Sequence, residues 1–223
     1  MIERSANRLD CSTADQLRIR ICLEGATEPV PLHETRLSAE FQVSRTPIRQ
    51  ILQMLRREDM VEIRPGIGTV STTLDPERRA YQGAVLETLV TAEAQLCAGQ
   101  SMPLMLQANF ASVRSLVEMR PLSTLDDVMQ VMARMIATLE QSVADLLLRN
   151  ATRAALWRQI RWLIRDAQCG GVSDAAVMDT IGADIRMIAE AGLKGPKSYP
   201  FIVLAQTGSF GTGDQTDDQK QPA

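Results

Sequence analysis

Arginine, serine and threonine crowd one short stretch of this chain. From Arg36 to Arg57 there are five arginines and a single acid, Glu40, for a net +4 over 22 residues. A guanidinium is a rigid fork of donors that fits phosphate oxygens, or the O6 and N7 atoms of guanine, two bonds at a time. Arg45 and Arg49 stand four apart, so on a helix they share a face. Thr46 lies beside them and can reach a phosphate or a thymine methyl. Ser44, just ahead, is placed to cap that helix and to donate to a phosphate. Arg36 precedes the group, and Arg64-Pro65-Gly66 follows it. A glycine there lets the backbone come close to a groove or a phosphate. A lone arginine would be read as solvating its helix, and Arg56 and Arg57 are read that way. The combination of the others points to recognition of a nucleic acid.

Catalytic chemistry has no comparable footing. The one histidine, His33, sits just before the basic stretch and is read as a surface residue. There is no Gly-rich phosphate loop and no Gly-x-Ser-x-Gly. Asp126 and Asp127 are adjacent, but at the start of a helix they suit its dipole. Cys11, Cys22, Cys97 and Cys169 form no Cys-x-x-Cys pair and read as small buried side chains in a reducing compartment. No catalytic residue and no cofactor is expected. Arg134 and Arg153, on core-forming helices, are candidates to hold an anionic effector, set against a plain solvent-facing role. Eleven methionines suit an adaptable apolar pocket, a core or a dimer interface alike.

A helix, a tight turn and a second helix are needed to present the basic group. Residues 13 to 24 are predicted as a first helix, with Ala14, Leu17 and Ile21 on one face and Gly25 ending it. Two prolines mark 25–32 as a connector. Leu37 and Phe41 then predict a short helix from Glu34, followed by a turn at Gln42-Val43. The helix opened by Ser44 tolerates Pro47 in its first turn and runs to about Arg57, with Ile48, Ile51, Leu52 and Leu55 inward. Met60 to Arg64 and Ile67 to Ser71 read as two strands around Pro65-Gly66. Three helices and a hairpin in about 75 residues make a winged helix-turn-helix, whose second close-set helix enters the major groove.

Beyond a linker at Leu74-Asp75-Pro76-Glu77 the pattern is helical, which predicts a mainly α protein. One helix carries Val85, Leu86, Leu89 and Leu96 and ends near Gly99. Ser101 caps the next, whose stripe is Leu106, Phe110, Val113 and Val117, and Pro121 breaks the chain. A long helix is predicted from about Thr124 to Arg149, with Val128, Met132, Met135, Leu139, Val143 and Leu146 inward. Another covers 151–168, stopped by Gly170-Gly171, and Ser173 opens a last one bearing Val177, Ile181, Ile185 and Ile188. The reading is a DNA-binding domain at 1–75, a helical bundle at 76–195 and a largely disordered tail at 196–223. With 45% apolar and 23% charged residues the chain can form a packed core. No run approaches the roughly 18 apolar residues of a membrane span. The opening Met-Ile-Glu-Arg-Ser is no secretory signal, so the expected location is the cytoplasm.

The segment from Leu32 to Arg49, with its Val43-Ser44-Arg45-Thr46-Pro47-Ile48-Arg49 core, resembles the DNA-binding signature of the GntR family of bacterial transcription regulators. The likeness continues through Leu52, Leu55 and Met60-Val61 to the wing at Arg64-Pro65-Gly66-Ile67-Gly68-Thr69-Val70. Gln50 departs from it, standing where the family often has Glu. The helix containing Val85-Leu86-Glu87 is similar to the opening of the all-helical, FCD-type domain in the FadR branch. That resemblance implies a homodimer on a palindromic operator in double-stranded DNA. It also implies a small organic-acid effector, held in many members beside a metal on one Asp and three His. This chain has no His for that set, so no metal is expected, and Gly83 stands near the place of a customary Arg. Repression lifted by an effector is the expected outcome. The alternative is a bundle that serves only as a dimerisation or protein-interaction module.

Overall fold

The computed structural model describes residues 11–97, 101–119 and 122–193. The helix end expected near Gly99, the break at Pro121 and the tail from 196 lie outside the described residues. Helix α1 (Thr13–Glu24) is capped by Ser12, whose hydroxyl accepts from the Asp15 N–H, and it buries Leu17, Ile19, Ile21 and Cys22. It ends at Gly25, where a Cβ would come within 2.7 Å of Ser71 Oγ and 2.8 Å of the Ile21 carbonyl oxygen. Only glycine fits so close an approach.

Helix α2 (Glu34–Glu40) and helix α3 (Arg45–Arg57) follow. The turn between them puts Gln42 in the left-handed region at φ 55°, and the Val43 N–H donates to the Ser38 carbonyl. Strands β1 (Val61–Arg64) and β2 (Gly68–Ser71) pair antiparallel, Val61 opposite Ser71 and Arg64 opposite Gly68. Both are a residue shorter than the pattern predicts. Gly66 and Gly68 take positive φ at the hairpin tip, where the turn requires it.

A 3-10 turn (Pro76–Arg78) leads into α4 (Arg79–Cys97), α5 (Leu104–Met119), α6 (Leu125–Ser142), α7 (Leu146–Cys169) and α8 (Asp174–Leu193). Helix α5 packs on α6 and α8, and α4 packs on α7. The predicted stripes of α5 and α8 are buried throughout. On α4 the inward residues are Gln82, Leu86, Val90 and Glu93, while Leu96 is exposed. Cys169 is exposed too, unlike the buried role expected of it.

The break between two predicted helices lies earlier than expected. The pattern joins Thr124 to Arg149, but the backbone turns extended at Val143, and Asp145 caps a new helix by accepting from the Leu148 N–H at 2.9 Å. The Arg149 guanidinium donates to the freed Val143 carbonyl, Nε at 3.0 Å, and so satisfies it. Val143 is buried as expected, but Leu146, across the break, is exposed.

The two modules share a core. Helix α1 packs on α6 and α7, and one buried apolar cluster runs from Leu17, Ile48 and Leu55 to Met132, Leu156 and Ile188. Cys22 lies in that seam, and burial pushes its thiol up to about 12, so it stays protonated. No helix among the described residues is long and apolar enough to cross a membrane.

Candidate nucleic-acid interface

Helix α3 is amphipathic, and its burial decides which side chains face out. Ile48, Leu52 and Leu55 are buried and Ile51 is half-buried, which turns Arg45, Thr46, Arg49 and Gln50 to solvent. The exposed stretch begins earlier, at Gln42, so the whole N-terminal end of α3 is open. That end carries backbone N–H groups without intrahelical partners and the positive end of the helix dipole.

Ser44 occupies the N-cap position in extended backbone, yet its side chain makes no cap hydrogen bond. The capping half of its expected role is therefore corrected: the hydroxyl, on an exposed residue, does not satisfy an N–H of α3. Arg49 donates to Glu34 on α2, Nε to Oε1 at 3.1 Å and Nη2 to Oε2 at 2.8 Å. The Arg49 hydrogen bond holds the Glu34 carboxyl below its usual range, against an opposing effect of burial. Glu34 thereby aims Arg49 across the mouth of the helix pair. Sequence spacing gave no sign of this, because the partners are fifteen residues apart and meet only when α2 and α3 pack.

Arg36 is exposed on α2, one helix before the recognition face. On the wing, Arg64 pairs with Glu62 at 2.8 Å. Gly66, at φ 77°, has nothing within 4 Å of where a Cβ would stand, so the tip is open. Ile63 and Ile67 are 60% and 54% exposed there, unusual for isoleucine in a hairpin and unforeseen in the strand pattern. His33 is exposed at the start of α2. The residues singled out by type and spacing thus divide: Ser44, Arg45, Thr46 and Arg49 gather on one helix end, with Arg36 and the wing on neighbouring elements.

The bundle candidates do not gather. Arg134 is exposed on α6. Arg153 is taken up by carboxylates, Nε on Glu58 at 3.1 Å and Nη1 on Glu140 at 3.4 Å. Asp127 forms a capping box with Thr124, and Asp126 accepts from Gln130. No group of three or more His, Cys, Asp or Glu is placed to hold a metal among the described residues. With its one histidine at the start of α2 and these aspartates engaged in the helix start, the chain does not fit the metal that the resemblance implies.

An exposed cationic helix end after a tight turn, followed by an open hairpin and mounted on helices, defines a winged helix-turn-helix DNA-binding protein. Residues 12–70 match the family model described as bacterial regulatory proteins, gntR family, so the chain carries a GntR-type helix-turn-helix domain there. Among solved structures, E. coli McbR/YncC is 14% identical, with a TM-score of 0.56 over 87% of this chain and 90% of its own. A putative transcriptional regulator GntR from Rhodococcus sp. RHA1 is 15% identical, with a TM-score of 0.53 over 87% and 91%. At that identity the likeness is one of fold, and it extends over both modules. No curated protein matches the chain in sequence.

Proposed function

We propose that the chain is a cytoplasmic, homodimeric repressor that binds a palindromic operator through the N-terminal end of α3. The observation that carries this reading is the outward cluster of Ser44, Arg45, Thr46 and Arg49 on one helix end. Arg45 and Arg49 would read base edges, Ser44 and Thr46 would hold phosphate, and Arg36, Arg64 and Gly66 would contact the backbone or minor groove. Two such helices in a dimer would enter successive major grooves roughly 34 Å apart. The working division is a DNA-binding domain at 1–75 and an FCD-type dimerisation and effector domain at 76–195, with the tail at 196–223. A small organic acid bound to the bundle would shift the two-state equilibrium toward release of the operator.

Binding of the full chain to its own promoter region, against a random duplex and across a salt series, tests this. A specific complex whose affinity falls steeply with salt is expected. Equal, weak binding to both duplexes would sink the operator reading.

A second reading has its own support: the bundle is a dimerisation or protein-interaction module with no small-molecule ligand and no catalysis. The exposure of Arg134 and the engagement of Arg153 by Glu58 and Glu140 favour it. A thermal-shift series of small carboxylates separates the two, since a ligand of the folded state raises Tm by mass action.

A further inference from the structure

The far end of the recognition helix is anchored in the bundle. Glu58 directly follows the last turn of α3 and is 5% exposed. Its carboxylate is gripped from both modules. Arg18 on α1 binds it with a fork, Nε to Oε2 at 2.9 Å and Nη2 to Oε1 at 2.8 Å. Arg153 on α7 reaches Oε1 through Nε at 3.1 Å, while its other nitrogens hold Glu140 of α6 at 3.4 Å and Asn150 at 3.0 Å. Arg18 in turn holds Asp15 at 2.6 Å and lies over the Trp157 ring of α7.

A second anchor sits eight residues further along α7, about 12 Å at 1.5 Å per residue. There Arg161, 2% exposed, donates to the carbonyl oxygens of Gly25 and Thr72 and, at 2.9 Å, to the Thr72 hydroxyl. These are the connector after α1 and the chain leaving the wing. One rigid helix thus holds the DNA-reading module at two separated points, and two points on a rod fix an angle.

Buried ion pairs contribute little net stability compared with apolar packing, and their best-attested use is to specify one arrangement over others. Apolar packing of α1 on α6 and α7 could hold the modules together at several angles. The directional bonds at Glu58 allow one.

We infer that Arg153 is a positioning residue for DNA reading: through Glu58 it sets the angle at which α3 is presented, and hence which spacing between two operator half-sites the protein accepts. The inference rests on the DNA-binding and dimer reading above.

The test is selection of full-length protein on a library of random duplexes, followed by affinity measurements on the selected half-site repeated at a series of spacings. Wild type is expected to favour one spacing. In Arg153→Gln that preference should flatten by about tenfold, with the base preference inside each half-site unchanged, and Arg153→Lys should largely restore it. A loss of stability alone would lower affinity equally at every spacing. An Arg153→Gln spacing profile identical in shape to wild type overturns the inference. Should Arg153→Gln not fold, the double variant Arg153→Met with Glu140→Gln removes the Arg153–Glu58 bond without leaving Glu140 as an unpaired charge, and keeps the Arg18–Glu58 fork. Its spacing profile should flatten in the same way, and a profile of unchanged shape overturns the inference. A wild-type protein that selects no sequence overturns the DNA-binding reading and the inference with it. One that selects half-sites without regard to spacing overturns the inference alone.

Discussion

The two ends of helix α3 lie in opposite surroundings. At its N-terminal end Ser44, Arg45, Thr46 and Arg49 are exposed, and the ion pair of Arg49 with Glu34 is on the surface. At its C-terminal end Glu58 is buried between Arg18 and Arg153. Arginine serves both ends. Exposed, it costs little to hold and is ready to exchange one anionic partner for another, because surface pairs are worth about 0–1 kcal/mol. Buried, it is committed, because no competing water or phosphate can replace the carboxylate it faces. A helix built this way can be adjusted at its reading end without loosening its attachment.

The strongest way to break the comparison is to remove Glu58. Glu58→Ala leaves Arg18, itself 2% exposed, without its fork, and should destabilise the fold by about 3–5 kcal/mol. Urea unfolding of the full chain measures it, and a loss under about 1 kcal/mol would show the pair to be as replaceable as a surface one.

The opposite behaviour is expected at the other end. Arg45→Ala and Arg49→Ala should leave the urea midpoint unchanged while operator affinity drops by roughly ten- to a hundredfold and base preference relaxes. Unaltered affinity in both variants would mean that α3 does not dock by this end.

Glu93 sharpens the comparison from within the bundle. It is as buried as Glu58, at 2% exposed, but its Oε1 has no hydrogen-bond partner among the described residues. Burial raises its carboxyl to about 7, Asp145 adds to the rise, and Arg149 opposes it. The folded state therefore prefers Glu93 protonated. Its stabilising contribution is complete below the ordinary carboxylate range and is lost as pH rises through about 7. Glu93→Gln should be about 1–2 kcal/mol more stable than wild type near pH 8, with the difference closing below about pH 5. Tm across that range checks it, and a pH-independent difference would contradict the assignment.

The smallest effect belongs to Ser44. An N-cap serine ordinarily stabilises its helix by about 0.5–2 kcal/mol. Here the side chain makes no cap bond, so Ser44→Ala should change the unfolding free energy by less than about 0.5 kcal/mol. Operator affinity should still fall, by roughly fivefold, if the hydroxyl donates to a phosphate. A loss of stability with unchanged affinity would reverse the two roles.

Local pattern carried the reading where local physics decides the outcome. The bounds of α1 and α3, the hairpin around Pro65-Gly66 and the buried stripes of α5 and α8 follow from periodicity, capping residues and turn chemistry, which act over a few residues. The exposed cluster at Ser44 to Arg49 was legible for the same reason: burial of Ile48 and Leu52 on one face of a helix dictates what the other face shows. The break at Val143 to Asp145 was missed because an apolar stripe continues across it and hides its local marks, the Asp145 N-cap and the Arg149 bond to the Val143 carbonyl. Nor could spacing tell that Arg153, a candidate ligand by residue type, would meet Glu58 across 95 residues of chain, or that Glu34 would meet Arg49. The sequence by itself determined the elements, their inward faces and the class of partner. The tertiary structure decided which charges pair, which stay free for a ligand and how the reading helix is held, because those depend on where distant segments place their few buried polar atoms.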